Sequence, residues 1–186
     1  MSDWRWKIGE AVERIRTRYD HIGRKTGAPF LALLYPPELE AAVLREWRTQ
    51  ASSLTPDFDL RTIDVLAVTQ AALADLGAEN VVDALANPMP GSDPVVELGH
   101  HWVDAVARHV RERFHDPKGR PVVVMERVAA LYPVAGPRDV MQQLWDSAQS
   151  ALDGPVIVLV PGSVRSARTY TFLDVRNEFM YRGDLL

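Results

Sequence analysis

The residues able to do chemistry in this chain are few. Glu126 ends an apolar run, Ser163 follows Pro161-Gly162, Arg138 stands near a helix start, and His100, His101 and His109 share one segment. A phosphate-binding loop needs glycine N–H groups to cradle the anion, plus a lysine and a hydroxyl for charge and Mg²⁺. The first buried run ends instead in Tyr35-Pro36-Pro37-Glu38-Leu39. There the two prolines remove donors and Glu38 repels a phosphate. The dinucleotide fingerprint G-x-G-x-x-G is absent from the sequence. Val122-Val123-Val124-Met125-Glu126-Arg127 resembles a Walker-B strand, a match that any buried strand ending in an acid produces.

Ser163 follows a strand, where α/β sheets place their ligand sites. It lacks the G-x-S-x-G elbow, and no Asp or His pattern marks a triad. The plain reading is a turn in which Gly162 supplies a positive φ. His100 and His101 are adjacent, so on a helix they point about 100° apart. His100 and Asp104 share a face at the spacing that could hold a cation, yet away from the apolar stripe of Leu98, Trp102 and Val106. A solvated surface explains them, and a hydrogen-bonded structural role explains His109. With no cysteine, disulfides, thiolate zinc sites and cysteine nucleophiles are excluded. The expectation is therefore no enzyme, no cofactor and no metal. An arginine at position 138 opposes the dipole of the helix that starts there, which points either to a partner carboxylate or to a surface accident.

These residues need a scaffold, and the apolar periodicity supplies one. Trp4, Ile8, Val12, Ile15, Tyr19 and Ile22 draw a helical stripe over residues 3–25. Buried-type strands are read at 30–35, 121–125 and 155–160, with shorter ones at 58–64 and 169–173. Helices are read from Pro36-Pro37 through Leu39, Val43 and Trp47, over 65–76 and 79–86, and from Pro94 along Val95, Leu98, Trp102, Val106, Val110 and Phe114. A further helix over 137–152 turns Val140, Met141, Leu144, Trp145 and Ala148 inward. Alternating strands and helices predict an α/β fold, a mainly parallel sheet flanked by helices. The expected architecture is like that of a P-loop NTPase lacking the phosphate-binding loop. A single domain over 1–186 is expected, with the turn-rich loop at 87–94 as its one sub-boundary.

The chain of 186 residues is 47% hydrophobic and 25% charged, with a formal charge of −4. That composition suits a globular core and gives no general attraction to nucleic acid. Arg14, Arg16, Arg18, Arg24 and Lys25 are interleaved with Glu10, Glu13 and Asp20, as on a solvated helix face. No apolar run approaches the ~20 residues of a membrane span. Met1–Lys7 carries no secretory apolar region, so a cytoplasmic protein is expected.

Several segments taken in order resemble the BrxB family of the BREX (bacteriophage exclusion) defence systems. Tyr35-Pro36-Pro37-Glu38 is similar to the family's Tyr-Pro-Pro-acid element after the first strand. Val128-Ala129-Ala130-Leu131-Tyr132-Pro133 with Arg138, then Met141-Gln142-Gln143-Leu144-Trp145, resemble its later strand-to-helix segment. Val158-Leu159-Val160-Pro161-Gly162 and Tyr181-Arg182 complete the series. Glu126-Arg127-Val128 stands where the family has Gly-Val-Gly, the arginine is offset, and residues 50–115 have no counterpart. The resemblance implies a small non-enzymatic component of a defence complex. Its partners would be the large ATPase, the methyltransferase and the alkaline-phosphatase-like protein, with Tyr35, Pro36, Tyr132, Pro133, Arg138, Pro161, Gly162, Tyr181 and Arg182 as motif or partner-binding residues. Two other classes remain open: a hydrolase or nucleotide-dependent enzyme using Glu126, Arg138 and Ser163, and a DNA-binding accessory using the first helix's arginines.

Overall fold

The computed structural model describes residues 4–23, 27–147, 152–180 and 182–186. Helix α1 (Trp4–Arg18) buries Trp4, Ile8, Ala11, Val12 and Ile15. It ends seven residues before the expected 25, because Arg18 leaves the helical region with φ of −135°. The cause is Tyr19. Its hydroxyl donates to the Pro121 carbonyl at 2.7 Å, and its ring packs on Phe58 and under Arg120. Burial lifts that hydroxyl to about 12, so it remains a donor. Arg14 and Arg16 pair with Glu10 and Glu13 along the helix, while Arg24 and Lys25 lie outside the described residues.

Strand β1 (Phe30–Tyr35) is buried at every position. A 3-10 turn at Pro37–Leu39 leads into α2 (Glu40–Ala51), and β2 (Phe58–Asp64) follows. Next come α3 (Val65–Leu76), α4 (Ala78–Ala86), α5 (Pro94–Glu112) and β3 (Arg120–Glu126). The chain continues through α6 (Pro137–Asp146), β4 (Val156–Ser166), β5 (Thr169–Phe172), β6 (Arg176–Phe179) and β7 (Asp184–Leu185).

The main sheet runs β2-β3-β4-β1-β7 with every neighbouring pair parallel. From β1 the chain crosses two strands to β2 and returns through β3 and β4. The fold is thus α/β, a mostly parallel sheet flanked by helices. Helices α1 and α2 cover one face, packing on Leu31, Leu33, Val122, Val124, Ile157 and Leu159. Helices α3, α5 and α6 cover the other, over Ala32, Leu34, Val123, Met125, Val156 and Val158. Alternate residues of one strand therefore feed two cores, which is why these strands read as unbroken apolar runs. Burying one such Leu or Val contributes roughly 1.5–3 kcal/mol.

Four further expectations are corrected. Strand β4 does not stop at 160 but continues through Pro161 and Gly162 to Ser166. Its far half pairs antiparallel with β5, and β5 with β6. Gly162 permits this, with φ of +152° and the Thr171 carbonyl packed where a Cβ would stand. Helix α6 ends at Asp146 rather than 152. Ser147 folds its hydroxyl back onto the Gln143 carbonyl at 2.6 Å, and Arg111 bonds to both residues. Trp145, expected inward, is an exposed large hydrophobic, and Ala148 lies outside the described residues. In α5, capped by the Asp93 side chain, Val95 is exposed as well, because the first turn neighbours α4 rather than the sheet. Among the described residues no single helix is long and apolar enough to cross a membrane. Helices α3 and α4 reach that composition only together, and they meet at 79°.

Candidate functional site

In a parallel sheet all strand C-termini share one edge, where α/β proteins bind ligands. Here that edge gathers β1 ending at Tyr35, β2 at Asp64, β3 at Glu126, and Pro161 of β4, which lies in register with Tyr35. Each acid is occupied by a cation or donor of the same chain. Glu126 is buried, and Arg48 reaches it from α2 with Nη2 2.7 Å from Oε1. Its second oxygen, Oε2, has no hydrogen-bond partner among the described residues. Asp64 is paired with Arg127 and also accepts from the Ala67 N–H at 3.3 Å, capping α3. Arg127 reaches it from a left-handed backbone conformation, φ 56°.

Tyr35 is buried and donates its hydroxyl to Glu40 at 2.9 Å. Burial first, then Glu40 and Glu126, push this hydroxyl far above the ordinary tyrosine range, so it stays protonated. Pro36 and Pro37 lead into the 3-10 turn and place Glu38 in solvent. Lys7 sends Nζ from α1 to the Leu34 carbonyl at 3.3 Å, and burial lowers its pKa. The corner that would cradle a phosphate in a P-loop protein is thus filled by Tyr35, Pro36 and Glu40, with Glu126 neutralised by Arg48.

Arg138 and Arg182 come together elsewhere. They line one groove of about 340 Å³ with Phe30, Met141, Trp145 and Phe179. Arg182 stacks over the Trp145 ring at 4.4 Å, a cation–π geometry. Arg138 is exposed in the first turn of α6. A carboxylate lies beside it, but it meets the backbone and not the guanidinium. Glu178 Oε2 accepts from the Arg138 N–H at 3.1 Å, satisfying a free donor of the helix start.

The remaining candidates separate. Tyr132 and Pro133 lie exposed after the 3-10 turn Val128–Leu131 and do not line that groove. Pro161 and Gly162 are buried strand residues, not a turn. Tyr181 lies outside the described residues. Ser163 donates to Asp174 at 2.8 Å. Asp104 accepts from Gln143, and His109 Nδ1 lies 2.8 Å from the Ala105 carbonyl. Among the described residues no group of three or more His, Asp or Glu is placed to hold a metal. Of the tryptophans weighed as contacts, Trp4 and Trp47 are buried and Trp6 is half exposed.

The sequence reading missed the cluster under the hairpin: Tyr170, Glu178, Arg176 and Asp139. Asp139 accepts from the Gly136 N–H at 2.8 Å and from Arg176 at 3.0 Å. A Gly-Pro-x-Asp helix start at 136–139 was the available signal for Asp139. Nothing local marked Glu178, which the hairpin carries across to α6.

No protein-family model matches the chain, and no curated protein matches it. A solved structure described as "Structure of Drosophila ORC bound to DNA" is similar over 86% of this chain, with 14% identity and a TM-score of 0.39. The match covers 38% of that chain.

Proposed function

We propose that this protein is a non-catalytic, cytoplasmic component of a BREX-type anti-phage system, acting by protein–protein interaction in assembly or regulation of the complex. Three things support the reading. The ordered Tyr-Pro-Pro, Tyr-Pro, Pro-Gly and Tyr-Arg segments resemble BrxB. The observation that carries the non-catalytic part is the Arg48–Glu126 pair, which occupies the strand-end acid with an internal cation. The groove holding Arg138, Trp145 and Arg182 offers guanidinium and aromatic surface, the chemistry enriched at binding hot spots.

Co-expression of the tagged protein with its genomic neighbours, followed by affinity capture and mass spectrometry, tests this. Stoichiometric recovery of the large ATPase, the methyltransferase or the phosphatase-like protein is expected, with loss in Arg138→Glu. Recovery of the protein alone at low and moderate salt overturns the reading.

One observation favours a second reading, an enzyme acting at the strand ends: Glu126 keeps a buried oxygen without a partner among the described residues. Nucleotide or ester turnover by the purified protein, abolished in Glu126→Gln, would establish it.

A further inference from the structure

Helix α4 is the least covered element of the fold, with no buried residue along Ala78–Ala86. It is nonetheless apolar. Val82, Leu85 and Met89 are exposed, as are Val95 and Val96 in the first turn of α5. Between the two helices lies a groove of about 200 Å³, with Leu76, Val81, Leu85, Pro94 and Leu98 along it. A solvent-facing helix ordinarily carries mixed charge on its outer side. This one departs from that rule beside an open apolar groove, the arrangement into which amphipathic helices dock.

Charge selects the occupant. No Lys or Arg occurs between Arg61 and Arg108, while that stretch holds seven acids. Asp64 is paired with Arg127, Asp93 caps α5, and Asp104 accepts from Gln143. Asp75, Glu79, Asp83 and Glu97 are exposed around the apolar residues, Asp83 also accepting from the Asn87 amide at 3.0 Å. Anionic lipid would be repelled by this surface, and a second copy docking the same face would set like charges against each other. A partner bringing lysines or arginines beside an apolar stripe is attracted on both counts.

We infer that the α4–α5 groove docks a basic amphipathic helix of a partner protein. The inference rests on the protein-binding reading above and adds a surface, one distinct from the Arg138–Arg182 groove, and a partner chemistry.

The test uses the whole protein and a fluorescein-labelled 18-residue helical peptide of Leu and Lys, with a Leu/Glu peptide of the same pattern. Fluorescence anisotropy should show binding of the Lys peptide only, weakening at least ~10-fold from about 0.05 M to about 0.5 M NaCl. Val82→Glu with Leu85→Glu, both at exposed positions, should weaken it ~10-fold or more. Glu79→Lys with Asp83→Lys should do the same and flatten the salt dependence. Equal binding of both peptides, or of the Lys peptide to wild type and all variants, overturns the inference. So does a wild-type dimer in sedimentation that Val82→Glu/Leu85→Glu dissolves.

Capture of the genomic neighbours by wild type and by Val82→Glu/Leu85→Glu separates the two claims. Neighbours retained by both forms sink the groove assignment and leave the assembly role. Peptide binding with no neighbour captured sinks the assembly role and leaves the groove.

Discussion

The Tyr170 hydroxyl donates to the Glu178 carboxylate at 2.6 Å, and both side chains are buried. Tyr170 stands on β5 and Glu178 opposite it on β6, in register. The same carboxylate accepts from the first turn of α6 through the Arg138 N–H, and Arg176 Nε lies 3.3 Å from its other oxygen. One acid thereby ties the hairpin to a helix start, where the positive end of the helix dipole favours a negative charge. Gly136 is part of the fit, because a Cβ there would collide with the Glu178 carboxylate.

Burial raises the pKa of Glu178, outweighing the Tyr170 and Arg138 donors and the Arg176 charge, which lower it. A carboxyl whose folded pKa is raised favours the native state in acid, and that contribution is lost as pH rises through the elevated value. Glu178→Gln mimics the neutral form. Its Tm relative to wild type should therefore move upward as pH is taken from 4 to 7, read by thermal unfolding across that range. Tyr170→Phe removes a donor from a buried acid and should cost about 1–3 kcal/mol in urea unfolding near pH 7. A Tm gap for Glu178→Gln that is flat with pH would refute the titration argument.

Gly162→Ala should be among the most damaging small substitutions in the protein. The backbone there has φ of +152°, open to glycine and strained for alanine, and the Thr171 carbonyl fills the Cβ position. The extension of β4 into the hairpin depends on that approach. A loss on the order of 3 kcal/mol or more is expected. Ser163→Ala, one residue on, should change stability by less than about 1 kcal/mol, since its hydroxyl serves Asp174 at the surface. Equal losses for the two would contradict the packing account.

How much of this was readable from the sequence follows the reach of each signal. Apolar runs such as Phe30–Tyr35 and Val122–Met125 need only local pattern, and the strands form there. The β2 run Phe58–Asp64 was also legible in place, bounded by the Gly77-stopped helix that follows it. Errors cluster where a distant residue sets the geometry. Tyr19 leaves the α1 helix for Pro121, 102 positions away. Arg111 holds the residues that end α6 from 36 positions back. The Arg48–Glu126 pair spans 78 positions, so no local pattern could predict that the strand-end acid is neutralised. Spacing could not place the Glu178 carboxylate, 40 positions away, on the Arg138 N–H, a backbone contact that does not engage the guanidinium.

The Arg48–Glu126 pair is asymmetric: the acid is buried and the arginine side chain is 63% exposed. Arg48→Ala therefore leaves a buried charge without its cation and should cost about 2 kcal/mol. Glu126→Gln leaves an arginine that water can solvate, so it should cost less, about 1 kcal/mol or below. In the double variant the losses should be less than additive, with about 1 kcal/mol of coupling in a double-mutant cycle. Strict additivity in urea unfolding would mean the pair does not hold the strand end closed.

Asp59 supplies the opposite pH dependence to Glu178. Its carboxylate accepts from Arg61 Nη2 at 2.7 Å and from the Lys118 N–H at 2.9 Å, and these two bonds lower its pKa. Arg61 in turn donates to the carbonyls of Arg113, His115 and Asp116, so this acid orients the cation that pins the 113–118 segment beside edge strand β2. A carboxyl with a depressed folded pKa contributes stability above its ordinary value and loses it as pH falls through the lowered one. Asp59→Asn should therefore destabilise by roughly 1 kcal/mol near pH 7 and progressively less towards pH 3. Amide exchange in residues 113–118 should rise in the same variant at neutral pH. A stability gap that stays constant down to pH 3 would show that the charge of Asp59 does not matter there.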